Sequence, residues 1–235
     1  MPETRVDNQI FEKFPSFRRG IVIARNMNNR GSFTQLESLL NEALANAAVD
    51  PIDLTTDPRT AVWNETYREL GCNPKKFPPA HLALLKRIQK PGAAIAFINK
   101  AVAIMNDNSI RSVLPVGGDD LLRAGEILEL RFADGDEQFT PLMIRREPSS
   151  RGEYLHGCGD PRGHLPAWNW RNGFQTRITE ETQAMVMNID GLGEDSQKRA
   201  IAVRDRVARM LEKYCNAEVE TALLMPSEPF FRFSG

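Results

Sequence analysis

Cysteine is scarce in this chain, which has three in 235 residues: Cys72, Cys158 and Cys215, far apart and in no CxxC pair. A disulfide-stapled scaffold and a zinc ribbon are therefore excluded, and reduced thiols are expected. Long apolar runs are also missing, with no stretch approaching the roughly 18 residues of a membrane span. The opening Met1-Pro2-Glu3-Thr4-Arg5 lacks the basic-then-apolar order of a signal peptide, so a soluble, cytoplasmic protein with no membrane partner is expected. Excess charge of either sign is absent too. A formal net charge of −1 excludes coating of nucleic acid by bulk electrostatics, and any RNA contact has to come from a local basic patch. There is no GxGxxG and no glycine-rich loop followed by Lys-Ser or Lys-Thr, which disfavours nucleotide hydrolysis.

What is present suffices for a large core: 41% of the residues are hydrophobic, and no repeat or low-complexity linker divides the chain. One domain over 1–225 with a tail over 226–235 is the expectation. After a short amphipathic opening, Ile21-Val22-Ile23-Ala24 reads as a buried strand. Ser32-Phe33-Thr34-Gln35 has the form of a capping box, and Leu36, Leu39, Leu40, Ala43 and Leu44 follow at helical spacing. Further helices are expected from Pro58 to Gly71, after Pro78-Pro79, and from Phe97 to Met105, the last ending in the polar stretch Asn106-Asp107-Asn108-Ser109.

The middle of the chain changes period. Leu128, Leu130 and Phe132 alternate with charged residues as in a half-buried strand, and Asp134-Gly135-Asp136 signals a hairpin turn. Strands are expected around 139–144, 152–156 and 184–189, then a long helix from Glu194 to Cys215 and a last strand over 218–224. The tail carries Phe230, Phe231 and Phe233 and either folds back on the body, the favoured reading, or docks on another subunit.

Several clusters carry chemistry, each with a structural alternative. Trp168-Asn169-Trp170-Arg171, read as a strand, puts both indoles on one face and Asn169 and Arg171 on the other. Arg171 then grips a phosphate or carboxylate and Asn169 a hydroxyl or base edge; alternatively the indoles anchor the core and Arg171 pairs with a carboxylate such as Glu153. Gly117-Gly118-Asp119 either brings backbone amides close to a ligand or forms a plain turn. His156, Cys158, Asp160 and His164 are the one gathering of metal-type ligands, but the spacing has little specificity and no metal or other cofactor is expected. Basic residues gather at Arg18-Arg19, at Lys75-Lys76 with Lys86, Arg87 and Lys90, and on the last helix at Arg199, Arg206, Arg209 and Lys213, where a solvated face with intrahelical pairs is the default.

Four stretches taken in order carry a family resemblance: Trp63-Asn64-Glu65-Thr66-Tyr67-Arg68-Glu69-Leu70-Gly71, Pro74-Lys75-Lys76-Phe77, Leu114-Pro115-Val116-Gly117-Gly118-Asp119, and Trp168-Asn169-Trp170-Arg171 followed by Thr176-Arg177-Ile178-Thr179-Glu180-Glu181-Thr182. By these the chain resembles solitary members of the B3/B4 domain family, the tRNA-binding and editing module of the phenylalanyl-tRNA synthetase β subunit. The resemblance implies an α+β fold, a layered β-sandwich-like sheet core with flanking helices. It also implies binding of tRNA or aminoacyl-tRNA, with a synthetase as a further partner, and hydrolysis of a mischarged aminoacyl ester. Asn106, Gly117, Gly118, Asp119, Asn169, Arg171 and Thr176 are the ligand-pocket candidates; Arg68, Lys75, Lys76 and Arg87 are the tRNA-contact candidates. The parent's editing threonine, histidine and glutamate fall at Met105, Gly117 and Phe174, none able to do the same polar work, so no catalytic residue is assigned. A non-catalytic docking module and a small-molecule enzyme reusing the fold stay open as alternatives.

Overall fold

The computed structural model describes residues 1–132, 168–169 and 173–234. The hairpin turn at Asp134, the strands expected over 139–144 and 152–156, the His156 to His164 cluster, Trp170 and Arg171 lie outside the described residues.

The fold is α+β, with seven helices and two sheets among the described residues. Strand β2 (Arg18–Arg25) is the axis of a four-stranded antiparallel sheet in the order β3-β5-β2-β6, with β3 at Val116–Asp120, β5 at Met185–Gly191 and β6 at Glu218–Leu224. A second sheet has β1 (Glu3–Val6) in its centre, parallel to β4 (Ile127–Leu130) and antiparallel to β7 (Phe230–Arg232). The opening thus contributes a strand and a short helix, α1 (Asn8–Lys13), and the tail adds a strand beside β1, with Phe233 buried.

The period-2 alternation of β2 explains the layering. Val22 and Ala24 join one apolar cluster with Met185, Met187 and Ile189, whereas Ile21 and Ile23 join another with Val186. Both faces of the sheet are covered, which is why this short run is apolar throughout rather than alternating with polar residues. Helices α2 (Thr34–Val49), α4 (Ala80–Ile88), α5 (Lys100–Ser112) and α7 (Ser196–Cys215) supply the first cluster. The second holds Trp63 and Tyr67 of α3 (Pro58–Glu69), the phenylalanines of the first 17 residues, Trp168 and Phe233. A short α6 (Leu121–Ala124) links β3 to β4.

Local signals are corrected in three places. The helix after Ser32 forms, but its N-cap is Phe33, with no side-chain cap bond. Phe33 instead meets Tyr214 edge-on at 5.1 Å. The polar stretch Asn106-Asp107-Asn108-Ser109 does not end its helix; it lies inside α5, and Asp107, Asn108 and Ser109 are buried. Asp107 pairs with Arg111 at 2.8 Å and Arg206 at 2.6 Å, and Asn108 accepts from Arg206 at 2.8 Å, so partners from α7 make interior positions tolerable for polar residues. Likewise Arg199 donates to the carbonyls of Ser112 and Val113. These two arginines of α7 therefore face the α5 seam rather than forming intrahelical pairs on a solvated face. Trp168-Asn169, read as strand, is a turn in which Asn169 has φ of 59°.

Candidate functional site

Asp190, the sixth residue of β5, is almost wholly buried and organises the ground around the tryptophan turn. Arg19 on β2 grips it in a fork, with Nε 2.7 Å from one carboxylate oxygen and a terminal nitrogen 2.8 Å from the other. The second oxygen also accepts from Trp168 Nε1 at 2.8 Å and from the Asn169 amide at 2.9 Å. Such bidentate, charge-assisted pairing offsets the cost of taking both charges out of water. The Trp168 ring is boxed by Phe17 at 4.6 Å and Trp63 at 5.1 Å, both edge-on, and its carbonyl accepts from the Tyr67 hydroxyl. The motif's Trp168 is thus a core anchor, and the amide of Asn169 is engaged by Asp190.

A second network fixes the segment after the motif. Asp119 accepts from the buried Thr176 hydroxyl at 2.5 Å. Asp120 caps α6 through the Leu122 amide at 3.0 Å and accepts from Thr182 at 2.7 Å. Gly118 is here for packing: a Cβ would lie 2.6 Å from the Val186 carbonyl oxygen, where β3 crosses β5. Gly117 pairs with Asn188 in the same ladder.

The third region is a cavity of about 290 Å³ between α4 and α5. One stripe of α4, Ala80, Ala83, Leu84 and Arg87, faces one stripe of α5, Asn106 and Ser109, because residues three and four apart share a helix face. Val116 at the start of β3 closes one end, and the Ser109 hydroxyl accepts from its amide at 3.1 Å. The tryptophan turn places this wall: the Asn169 carbonyl accepts from the Ala80 amide at 2.6 Å, at the start of α4, where Pro79 offers no side-chain cap.

His81 also lines this cavity and is 1% exposed. Its ring meets Trp63 edge-on at 5.6 Å, and neither ring nitrogen has a hydrogen-bond partner among the described residues. The Trp63 indole nitrogen has no partner among them either. Burial, helped by the nearby Arg199 charge, pushes the imidazole down to about 3, so His81 is neutral near pH 7 and holds one donor and one acceptor. Leaving a buried polar group unmatched costs about 1–3 kcal/mol, so a pair of such groups side by side is unusual in a native interior.

On the surface around the cavity, Arg68, Lys75, Lys76, Lys86, Arg87 and Lys90 make no ion pair among the described residues, and all are exposed. They sit on the end of α3, the connecting loop and α4. The arginines of α7 nearest α5 are in contrast engaged by Asp107, Asn108 and helix-end carbonyls.

Of the sequence candidates, then, Asn106 and Arg87 meet at one cavity, and Gly117, Gly118 and Asp119 continue the strand whose first residue closes it. Asn169 and Thr176 are held apart from it by Asp190 and Asp119. The expected editing positions are Met105, buried in the core, Gly117 in β3, and Phe174, exposed beneath the Arg177 guanidinium at 4.0 Å. Sequence reasoning passed over His81 and Ser109. A signal for His81 existed, since it occupies the buried stripe His81, Leu85, Ile88 of α4, where a histidine is out of place unless it has work to do.

A family model described as the B3/4 domain matches residues 62–225. No curated protein matches the sequence.

Proposed function

This chain belongs to the B3/4 domain family, the domain found in the phenylalanyl-tRNA synthetase β subunit, and we propose that it binds tRNA or aminoacyl-tRNA along α3 and α4. The observation that carries the reading is the row of cations from Arg68 to Lys90, without ion pairs among the described residues, beside a cavity whose rim includes Arg87. A phosphate backbone needs several cations free to displace its counterions, and a protein of net charge −1 has to concentrate them on one surface. The cavity then takes the terminal group of the RNA, with a synthetase as a further partner and the cytoplasm as the compartment.

Ester hydrolysis is the second tier of the proposal. An aminoacyl ester is reactive enough that donors holding its carbonyl, plus a positioned water, supply acceleration without a protein nucleophile. The apolar character of Met105, Gly117 and Phe174 favours binding without turnover as the alternative. A panel of mischarged tRNAs incubated with excess protein separates the two: loss of the ester from at least one supports hydrolysis, and a panel that stays charged removes it. For binding, Lys75→Glu with Lys76→Glu is expected to abolish a salt-dependent tRNA complex, and unchanged affinity in that variant would refute the α3–α4 track.

A further inference from the structure

We propose that β6 is a self-pairing edge: two copies of this chain associate by laying β6 of one against β6 of the other, antiparallel across a two-fold axis. The two edges of the four-stranded sheet differ, and that difference carries the proposal. At the β3 edge the chain covers itself, since the Asp120 amide donates to the Thr176 carbonyl at 2.9 Å and the hydroxyls of Thr176 and Thr182 donate to Asp119 and Asp120. At the β6 edge no described strand pairs on the outer side.

Alternation along the sheet fixes which backbone groups are left over there. The Asp190 amide donates to the Pro115 carbonyl, so Asp190 turns its backbone groups to β3 and its neighbours Ile189 and Gly191 turn theirs to β2. Carried across the register, Arg18, Gly20 and Val22 answer β5, and Arg19, Ile21 and Ile23 answer Leu224, Ala222 and Glu220 of β6. Val219, Thr221 and Leu223 therefore point outward. The bridge of Met225 with Glu228, made on that same outer side, agrees.

Open N–H and C=O groups template another strand, and edges are normally blunted by proline, lysine, a bulge or shortness. β6 has none of these devices: it has seven residues, a ladder to β2 unbroken from Glu218 to Leu224, no proline and no lysine. It also suits its own reverse. With Thr221 on the axis, Val219 lies opposite Leu223 of the second copy, Glu220 opposite Ala222 and Glu218 opposite Leu224, so no carboxylate meets another. Centring on Glu220 would oppose two carboxylates. Val219 and Leu223 are half-buried in one copy, and pairing covers them further. The α4–α5 cavity lies beside β3 at the opposite edge of the sheet, so this association is independent of the RNA-directed reading.

Sedimentation equilibrium over a concentration series is expected to show a reversible dimer of the wild-type protein. Thr221→Pro spares the β2 ladder, because that amide points away from β2, and should weaken association about a hundredfold by removing the hydrogen bonds at the axis. Thr221→Lys and Thr221→Glu should each associate about tenfold more weakly alone, and an equimolar mixture should recover a one-to-one dimer, because only this register sets the residue opposite itself. That pair decides the matter if the proline variant does not fold. A wild type that stays monomeric, a dimer that Thr221→Pro leaves unchanged, or a mixture that recovers nothing overturns the proposal. So does slow hydrogen exchange at the Val219, Thr221 and Leu223 amides in dilute monomer, which would mean that another part of the same chain covers the edge.

Discussion

Two buried polar sites share Trp63 as a wall, and they are satisfied to opposite degrees. On one side Trp168 lies 5.1 Å away and leads to Asp190, whose carboxylate is met by Arg19, Trp168 and Asn169. On the other side His81 lies 5.6 Å away with both ring nitrogens unmatched among the described residues. The difference separates a saturated polar site from one that carries an energetic cost. Where every polar atom has a partner, the group fixes the fold; where buried polar atoms lack one, the fold carries a cost that a ligand can offset.

The largest effect that sharpens this contrast is expected from Asp190→Ala. It strands the Arg19 charge in the core, and unfolding in urea should show a loss of about 3–5 kcal/mol. A loss below about 1 kcal/mol would break the view of this site as structural. Trp168→Phe keeps most of the ring packing but removes one donor from Asp190, and should cost about 1–3 kcal/mol by the same measurement.

His81→Phe should act in the opposite direction. It removes two nitrogens that no described residue matches while keeping a ring against Trp63, and a gain of about 1 kcal/mol near pH 7 is expected. Its pH dependence follows from the direction of the shift. Above the ordinary value of 6.5 the histidine is neutral in both folded and unfolded chains and adds no pH dependence. As pH falls below 6.5 the unfolded chain takes up a proton that the folded one refuses until about 3, so stability is lost progressively over that window. Urea midpoints measured across it should fall less steeply in His81→Phe, by one proton's worth of slope; identical slopes would mean that the imidazole titrates normally.

The smallest effect on stability belongs to the exposed cations. Lys75→Gln with Lys76→Gln should change stability by no more than about 0.5 kcal/mol, since neither side chain has an ion pair to lose among the described residues. The same variant should reduce the salt slope of tRNA binding by roughly 1.5, as two phosphate contacts are removed. An unchanged slope would place the RNA elsewhere.

Elements with a strong local period were legible in the sequence. The strand from Glu218 to Leu224, the helix from Pro58 and the helix after Pro78-Pro79 stand where spacing and stop signals put them. Less legible were elements whose cause lies far away along the chain. Asp107 and Asn108 look like a helix end until Arg206, almost a hundred positions on, is brought beside them. Trp168-Asn169 looks like an alternating strand, yet Asp190 bends it into a turn by taking both side chains on one oxygen, which a strand's alternation forbids. For the candidate site, Asn106 and Arg87 were readable as polar residues of the right kind, but His81 stands out only once the stripe it shares with Leu85 and Ile88 is known to be buried.

By itself the sequence determined the kind of protein this is, the family and the α+β class, since apolar period and motif order are properties of neighbours along the chain. Only the tertiary structure decided which polar residues are committed and which are free. Arg19 and Asp190 are 171 positions apart and pair with each other, whereas no described residue matches His81. Satisfaction of a buried polar group depends on what three-dimensional packing brings within about 3 Å of it, and no local pattern encodes that.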